Sequence, residues 1–253
     1  MRKKVYGLIG WPLEHSFSPQ YFTNKFNELN LAGYSYKLFP LNSILQFPDL
    51  IMRNIGLSGL NVTLPYKEDI INYLDHMDPE AALVGAVNCI RFRQTKGDLL
   101  LKGYNTDIYG FEKSLQNKHD LTQIKHAVIL GNGGSSKAVK YILDKYKIQY
   151  HIVSRTVQDD EKNIITYEQL TDEYLGVIDL LVNSSPAGMW PNVDEAPAIN
   201  YNAINQKCLC YDMIYNPEET LFLNHCKQQG CSTQNGLDML KYQAEKSWEI
   251  WNL

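Results

Sequence analysis

At 253 residues and 44% hydrophobic side chains, the chain is long enough for one or two domains with a substantial core. Its net charge of −4, with Lys and Arg scattered, argues against a nucleic-acid partner. No apolar run approaches the ~20 residues that span a bilayer, so no membrane partner is expected either. The start, MRKKVYGLIGW, is basic and then apolar, but the apolar part is too short for a signal peptide and reads as a first strand. A helix follows over about Ser18–Asn30, then a strand (YSYKLF), a helix near Ile44–Asn54, and a strand, LSGLNVTL, stopped by Pro65. Ile70, Ile71 and Leu74 then suggest a helix with Lys67 in its first turn. After AVNCIRF and LLLKGYN, a helix over Asp107–Gln116 leads into the polar stretch NKHDLTQIKH.

A second alternating series begins there: AVILG (127–131), a helix over 135–146, YHIVS (150–154), DLLVN (179–183) and CLCYDM (208–213). A last helical pattern covers about Leu237–Trp251. Such alternation implies βαβ units, mostly parallel sheets and an α/β fold. The expected domains are an α/β substrate-binding domain over 1–104 and a Rossmann-type dinucleotide-binding domain over 105–236. The closing helix, 237–253, would return to the first. Cys89, Cys208, Cys210, Cys226 and Cys231 lack metal-ligand spacing and read as small core residues. That implies a reducing compartment, the cytoplasm, and no metal site.

The run AVILGNGGSSKAVKYIL places Gly131, Asn132, Gly133, Gly134 and Ser135 between a buried strand and a helix. Glycines there let a pyrophosphate approach backbone N–H groups at the positive end of a helix. Ser136 stands at the third glycine of the fingerprint and is small enough for close packing. A preference for a free ribose 2′-hydroxyl would put an acid at the end of the next strand. This chain has Ser154, Arg155 and Thr156 instead, a guanidinium flanked by hydroxyls that suits a 2′-phosphate and hence NADP. Ser184 and Ser185 lack the strand–turn–helix G-x-S-x-G context of a hydrolase nucleophile.

The first domain is dense in small polar groups. Ser16 and Ser18 precede a helix, where Ser18 could serve as N-cap with Pro19 at the first helical position. Asn61 and Thr63 share one face of a strand, Asn88 lies in an apolar strand, and Asn105, Thr106 and Asp107 precede a helix. Together they form a set of donors and acceptors suited to a small ligand rich in hydroxyls.

Over essentially its whole length the sequence resembles the shikimate dehydrogenase family, through HSFSP, NVTLPYK, AVN, GYNTD, GNGG, SRT, NSSPAGM, YDMIYNP and NGLDMLKYQA in that order. The resemblance implies NADPH-linked reduction of 3-dehydroshikimate to shikimate, a step toward chorismate and the aromatic amino acids. It implies a catalytic pair, Lys67 and Asp107, and substrate contacts from Ser16, Ser18, Asn61, Thr63, Asn88 and Gln243. It also adds Met213 and Gly236 to the cofactor residues of the glycine loop and of Ser154–Thr156. The family's departures here are Asn132 for Ala, Ser154 for Asn and Leu221 for Pro. The implied partners are the small-molecule substrate and, for a homodimer rather than a monomer, a second copy of the chain.

Ketone reduction needs a proton for the developing alkoxide. A lysine in a first helical turn opposes the dipole there, which eases release of its proton, while a nearby Asp107 would hold the ammonium in place. The competing readings are a quinate or quinate/shikimate dehydrogenase linked to NAD, a catalytically silent NADP sensor, and a methyltransferase. Arg155 argues against the first, the presence of both Lys67 and Asp107 against the second. The absence of an acid closing the second strand argues against the third.

Overall fold

Two separate sheets, each built from apolar runs too short to cover themselves, organise the chain. The computed structural model describes residues 3–14, 16–156 and 163–253. It divides into one unit of Met1–Thr106 with Ala244–Leu253, and another of Asp107–Gln243.

In the first unit, β1 (Lys4–Gly10) leads to α1 (Ser18–Glu28) and β2 (Tyr34–Pro40). A 3-10 turn (Ile44–Gln46) and α2 (Phe47–Arg53) then precede β3 (Leu57–Val62). A 3-10 turn (Asp69–Tyr73), β4 (His76–Met77), α3 (Pro79–Val84), β5 (Cys89–Gln94) and β6 (Leu99–Tyr104) follow. Among the described residues these strands form one sheet in the order β2-β1-β3-β5-β6-β4. β1 is parallel to β2 and β3, but β5 is antiparallel to both β3 and β6. The sheet is therefore mixed, where alternation had suggested a mostly parallel one. β5 and β6 are joined by a short turn closed by Thr95 N–H donating to the Asp98 carbonyl, and a link that short permits only an antiparallel pair.

Phe47, Leu60, Ile70 and Ile90 anchor one core of this unit. The other is aromatic: Tyr6, Phe22, Phe26 and Tyr36 pack with Trp251 near the chain's end. Gly59 makes that contact possible, since a Cβ there would lie 2.3 Å from the Trp251 indole, whose Nε1 donates to the Ile90 carbonyl at 3.0 Å.

The second unit takes up α4 (Thr106–Gln116) from Asp107 onward, then β7 (His126–Leu130), α5 (Ser136–Lys145), β8 (Gln149–Val153), β9 (Ile164–Ile165) and α6 (Asp172–Leu175). It continues through β10 (Leu180–Asn183), β11 (Leu209–Asp212), α7 (Leu221–Gln228), β12 (Ser232–Gln234) and the start of α8 (Leu237–Trp251). Its described strands are all parallel, in the order β12-β11-β10-β7-β8-β9. Counted from β7 this is the 3-2-1-4-5-6 order of a Rossmann sheet. Ala127–Leu130 are buried on both faces, and α5 covers the sheet with Ala138, Val139, Ile142 and Leu143. The passage between units falls after Thr106 and again inside α8, between Gln243 and Ala244. Only the end of that helix therefore counts with the first unit. Its beginning packs on α4 at Gly110, where a Cβ would lie 2.7 Å from the Met239 carbonyl.

Candidate active site

In the first unit, β1 and β3 end side by side. Thr63 N–H donates to the Ile9 carbonyl and Trp11 N–H to that of Leu64, and Gly10 leaves room for the Thr63 methyl. Asn61, the next-to-last residue of β3, is buried. Its Nδ2 donates to the Asn88 carbonyl at 3.2 Å, which brings two of the expected substrate residues together. Asn88 itself lies just before β5.

α1 begins at Ser18 with Phe17 as its N-cap, and no side chain makes the capping bond. Ser18 is therefore not the cap that the sequence suggested, and its amide donates to Ser16 Oγ at 3.3 Å. Its hydroxyl faces the Tyr36 phenol, whose pKa burial pushes up.

Lys67 also departs from expectation. The 3-10 turn starts at Asp69, so Lys67 precedes it and no helix dipole opposes its charge. What distinguishes Lys67 is burial, with only 8% of the residue exposed. Its carbonyl accepts from Val87 N–H at 2.7 Å, which fixes the Lys67 backbone against the AVN segment.

The second unit carries the remaining residues. Asp107 is buried in the first turn of α4, and Gln243 of α8 donates through Nε2 to the Leu240 carbonyl. Gly131 has φ +107°, and a Cβ there would stand 3.0 Å from the Ser185 amide nitrogen. The glycine is thus required twice, by its backbone conformation and by the closeness of the loop after β10. Asn132 and Gly133 are exposed, Gly134 and Ser135 half-buried, and Ser136 Oγ donates to the Gly133 carbonyl at 2.6 Å. The α5 N-terminus thus opens on an exposed loop at the switch point between β7 and β10, where a pyrophosphate fits. After β8, Ser154 Oγ accepts from Thr156 N–H at 3.4 Å, and Arg155 is exposed next to Tyr167. Met213 and Gly236 touch: a Cβ on Gly236 would lie 2.1 Å from the Met213 carbonyl oxygen, so no larger residue fits without moving that backbone.

A buried polar group beside Met213 went unnoticed in the sequence. Asp212, closing β11, takes Asn183 Nδ2 (3.1 Å) and Ile214 N–H (3.0 Å) on Oδ1, and the Thr220 hydroxyl (2.5 Å) on Oδ2. Asn183, closing β10, accepts from the amide and hydroxyl of Ser185, so the two strand ends and their loops are tied together. The available signal was an Asn and an Asp each ending an apolar strand.

Burial pushes the Asp212 carboxyl up to about 6, while the bonds from Thr220, Ile214 and Asn183 limit the rise. A folded-state pKa above the unfolded one means that the folded protein holds this proton more tightly. The associated stability is complete below the ordinary aspartate value of 3.8 and lost as pH rises through about 6. Asp212→Asn cannot titrate. Between about pH 4 and pH 7 its melting temperature is expected to gain on that of the wild type, by the equivalent of roughly 2–3 kcal/mol. A gap that stays constant with pH would show that Asp212 does not titrate in that range.

Residues 8–90 match the model of the shikimate dehydrogenase substrate binding domain. The NADP(+) shikimate dehydrogenase of Methanococcus aeolicus is 37% identical, over 99% of this chain and 92% of that protein. The crystal structure of shikimate dehydrogenase 1 from Peptoclostridium difficile is 38% identical and superposes with a TM-score of 0.83, over 98% of this chain and 91% of that one. The Thermus thermophilus shikimate 5-dehydrogenase, solved in complex with NADP(H) and shikimate, is 28% identical, with a TM-score of 0.85 over 98% of this chain and 93% of that one. These matches run through both units, across the polar cradle as well as the glycine loop, and the chain belongs to the shikimate dehydrogenase family.

Proposed function

We propose that the protein catalyses the reversible NADP-dependent reduction of 3-dehydroshikimate to shikimate, a step of aromatic amino-acid biosynthesis. The observation that carries this reading is a relative named for that activity and cofactor, matched over 99% of this chain, so that both half-sites lie within the similarity. A bound NADPH would supply the hydride for the ring carbon that bears the reacting oxygen. Gly131–Ser135 and the α5 N-terminus hold its pyrophosphate, Ser154, Arg155 and Thr156 its 2′-phosphate, and Met213 with Gly236 borders it. Ser16, Ser18, Asn61, Thr63, Asn88 and Gln243 bind the ring. Lys67 gives the proton to the carbonyl oxygen as it becomes a hydroxyl, and takes it back in the reverse direction. Asp107 is the second member of the proposed catalytic pair. Five buried, unpaired thiols fit a reducing compartment such as the cytoplasm.

The test is cofactor absorbance with shikimate and with quinate, each paired with NADP and with NAD. The fastest turnover is expected for shikimate with NADP. A preference for quinate with NAD would overturn the reading.

A further inference from the structure

Asn61 has both amide protons engaged inside the first unit. Nδ2 donates to the Asn88 carbonyl at 3.2 Å and to Ser247 Oγ at 2.8 Å, while Oδ1 accepts from the Tyr36 hydroxyl at 2.9 Å. Asn88 is held from the other direction. Its Oδ1 accepts from the Thr106 amide at 2.6 Å and from the Thr106 hydroxyl at 3.1 Å. The Thr106 hydroxyl also lies 3.2 Å from Ser247 Oγ, which joins the two asparagines through a shared contact. Tyr36, Asn61, Ser247, Thr106 and Asn88 are thus linked in one buried set, in which the bonds at each asparagine have a fixed direction. All five residues are buried. Neither amide can flip. A turned Asn61 would set its oxygen against the Asn88 carbonyl, and a turned Asn88 would set its NH2 against the Thr106 amide.

We infer that Tyr36, Ser247 and Thr106 are positioning residues that fix the polarity each asparagine shows to the substrate. Asn61 meets a ligand as an acceptor, through the second lone pair of Oδ1. Asn88 meets it as a donor, through Nδ2. The ring bound here therefore directs a hydroxyl proton at Asn61 and an oxygen lone pair at Asn88. This inference rests on the reading of Asn61 and Asn88 as substrate ligands. Ser247 comes from α8, where Ala244, Ile250 and Trp251 are buried on the same side, and Tyr36 from β2, so remote parts of the chain set the polarity.

The experiment is equilibrium binding of shikimate and of NADP+ to the full-length enzyme carrying Ser247→Ala, Tyr36→Phe, Thr106→Val or Thr106→Ser. Ser247→Ala and Tyr36→Phe are also combined with Asn61→Ala. Ser247→Ala, Tyr36→Phe and Thr106→Val are each expected to weaken shikimate about tenfold, the effect of a misoriented hydrogen bond, with NADP+ affinity unchanged. Thr106→Ser, which keeps the hydroxyl, is expected to bind like wild type. In the Asn61→Ala background neither Ser247→Ala nor Tyr36→Phe should weaken shikimate further. Melting temperatures that fall while shikimate affinity holds would overturn the inference, as would equal losses with and without Asn61. If Asn61→Ala alone leaves shikimate affinity intact, the substrate reading of Asn61 fails first and takes the inference with it.

Discussion

Lys67→Ala is expected to lower turnover by about a hundredfold or more, the usual scale for losing a general acid or base. Shikimate binding should weaken far less, because the residues proposed to bind the ring, Ser16, Ser18, Asn61, Asn88 and Gln243, are left in place. The reason is that a proton delivered to a developing alkoxide stabilises the transition state and not the ground-state complex. Burial matters here. With 8% of the residue exposed, Lys67 is shielded from the bulk water that would otherwise deliver the proton in its place. Lys67→His is the sharper variant, since an imidazole can donate a proton with a pH–rate profile displaced to lower pH. Single-turnover hydride transfer measured beside equilibrium shikimate binding separates the two roles. Wild-type hydride transfer with lost binding would make Lys67 an anchor and end the proposed acid role.

Arg155→Ala should weaken NADP by roughly ten- to a hundredfold, the worth of about 1.5–3 kcal/mol for a hydrogen bond to a charged group. Arg155 is exposed after β8 and no acid closes that strand, so its guanidinium is available for a 2′-phosphate. NAD lacks that phosphate, and its use should hardly change. Kinetics with both cofactors decide the matter, and equal losses would give Arg155 a structural part in the loop instead.

The Rossmann unit was legible in the sequence because β7, β8, β10 and β11 are apolar runs separated by helical periods. Its edge strand β12 was not, for Ser232–Gln234 is polar and only Gln234 is buried. In the first unit the hairpin of β5 and β6 left a trace, two strands with no helix between, that alternation alone read as parallel. The Lys67 turn was misread because Ile70 and Ile71 with Leu74 imitate a helical period, while the backbone makes only a 3-10 turn over Asp69–Tyr73. Single polar residues in motifs could be picked out. What holds them could not, because Tyr36 lies 25 residues before Asn61 and Ser247 lies 186 after it, and only the fold joins them.

The buried thiols give this molecule a built-in record of its own opening. Cys89 lies in the first unit and Cys208, Cys210, Cys226 and Cys231 in the second, all shielded from solvent. Burial also pushes the Cys89 thiol up to about 12, so that residue offers almost no thiolate at neutral pH. An alkylating reagent therefore reaches these sulfurs only during transient unfolding, and the pace of modification reads out how often that happens. Followed by mass at Cys89 and at the other four, a single native sample yields two separate clocks, one for each half of the chain, without any introduced label.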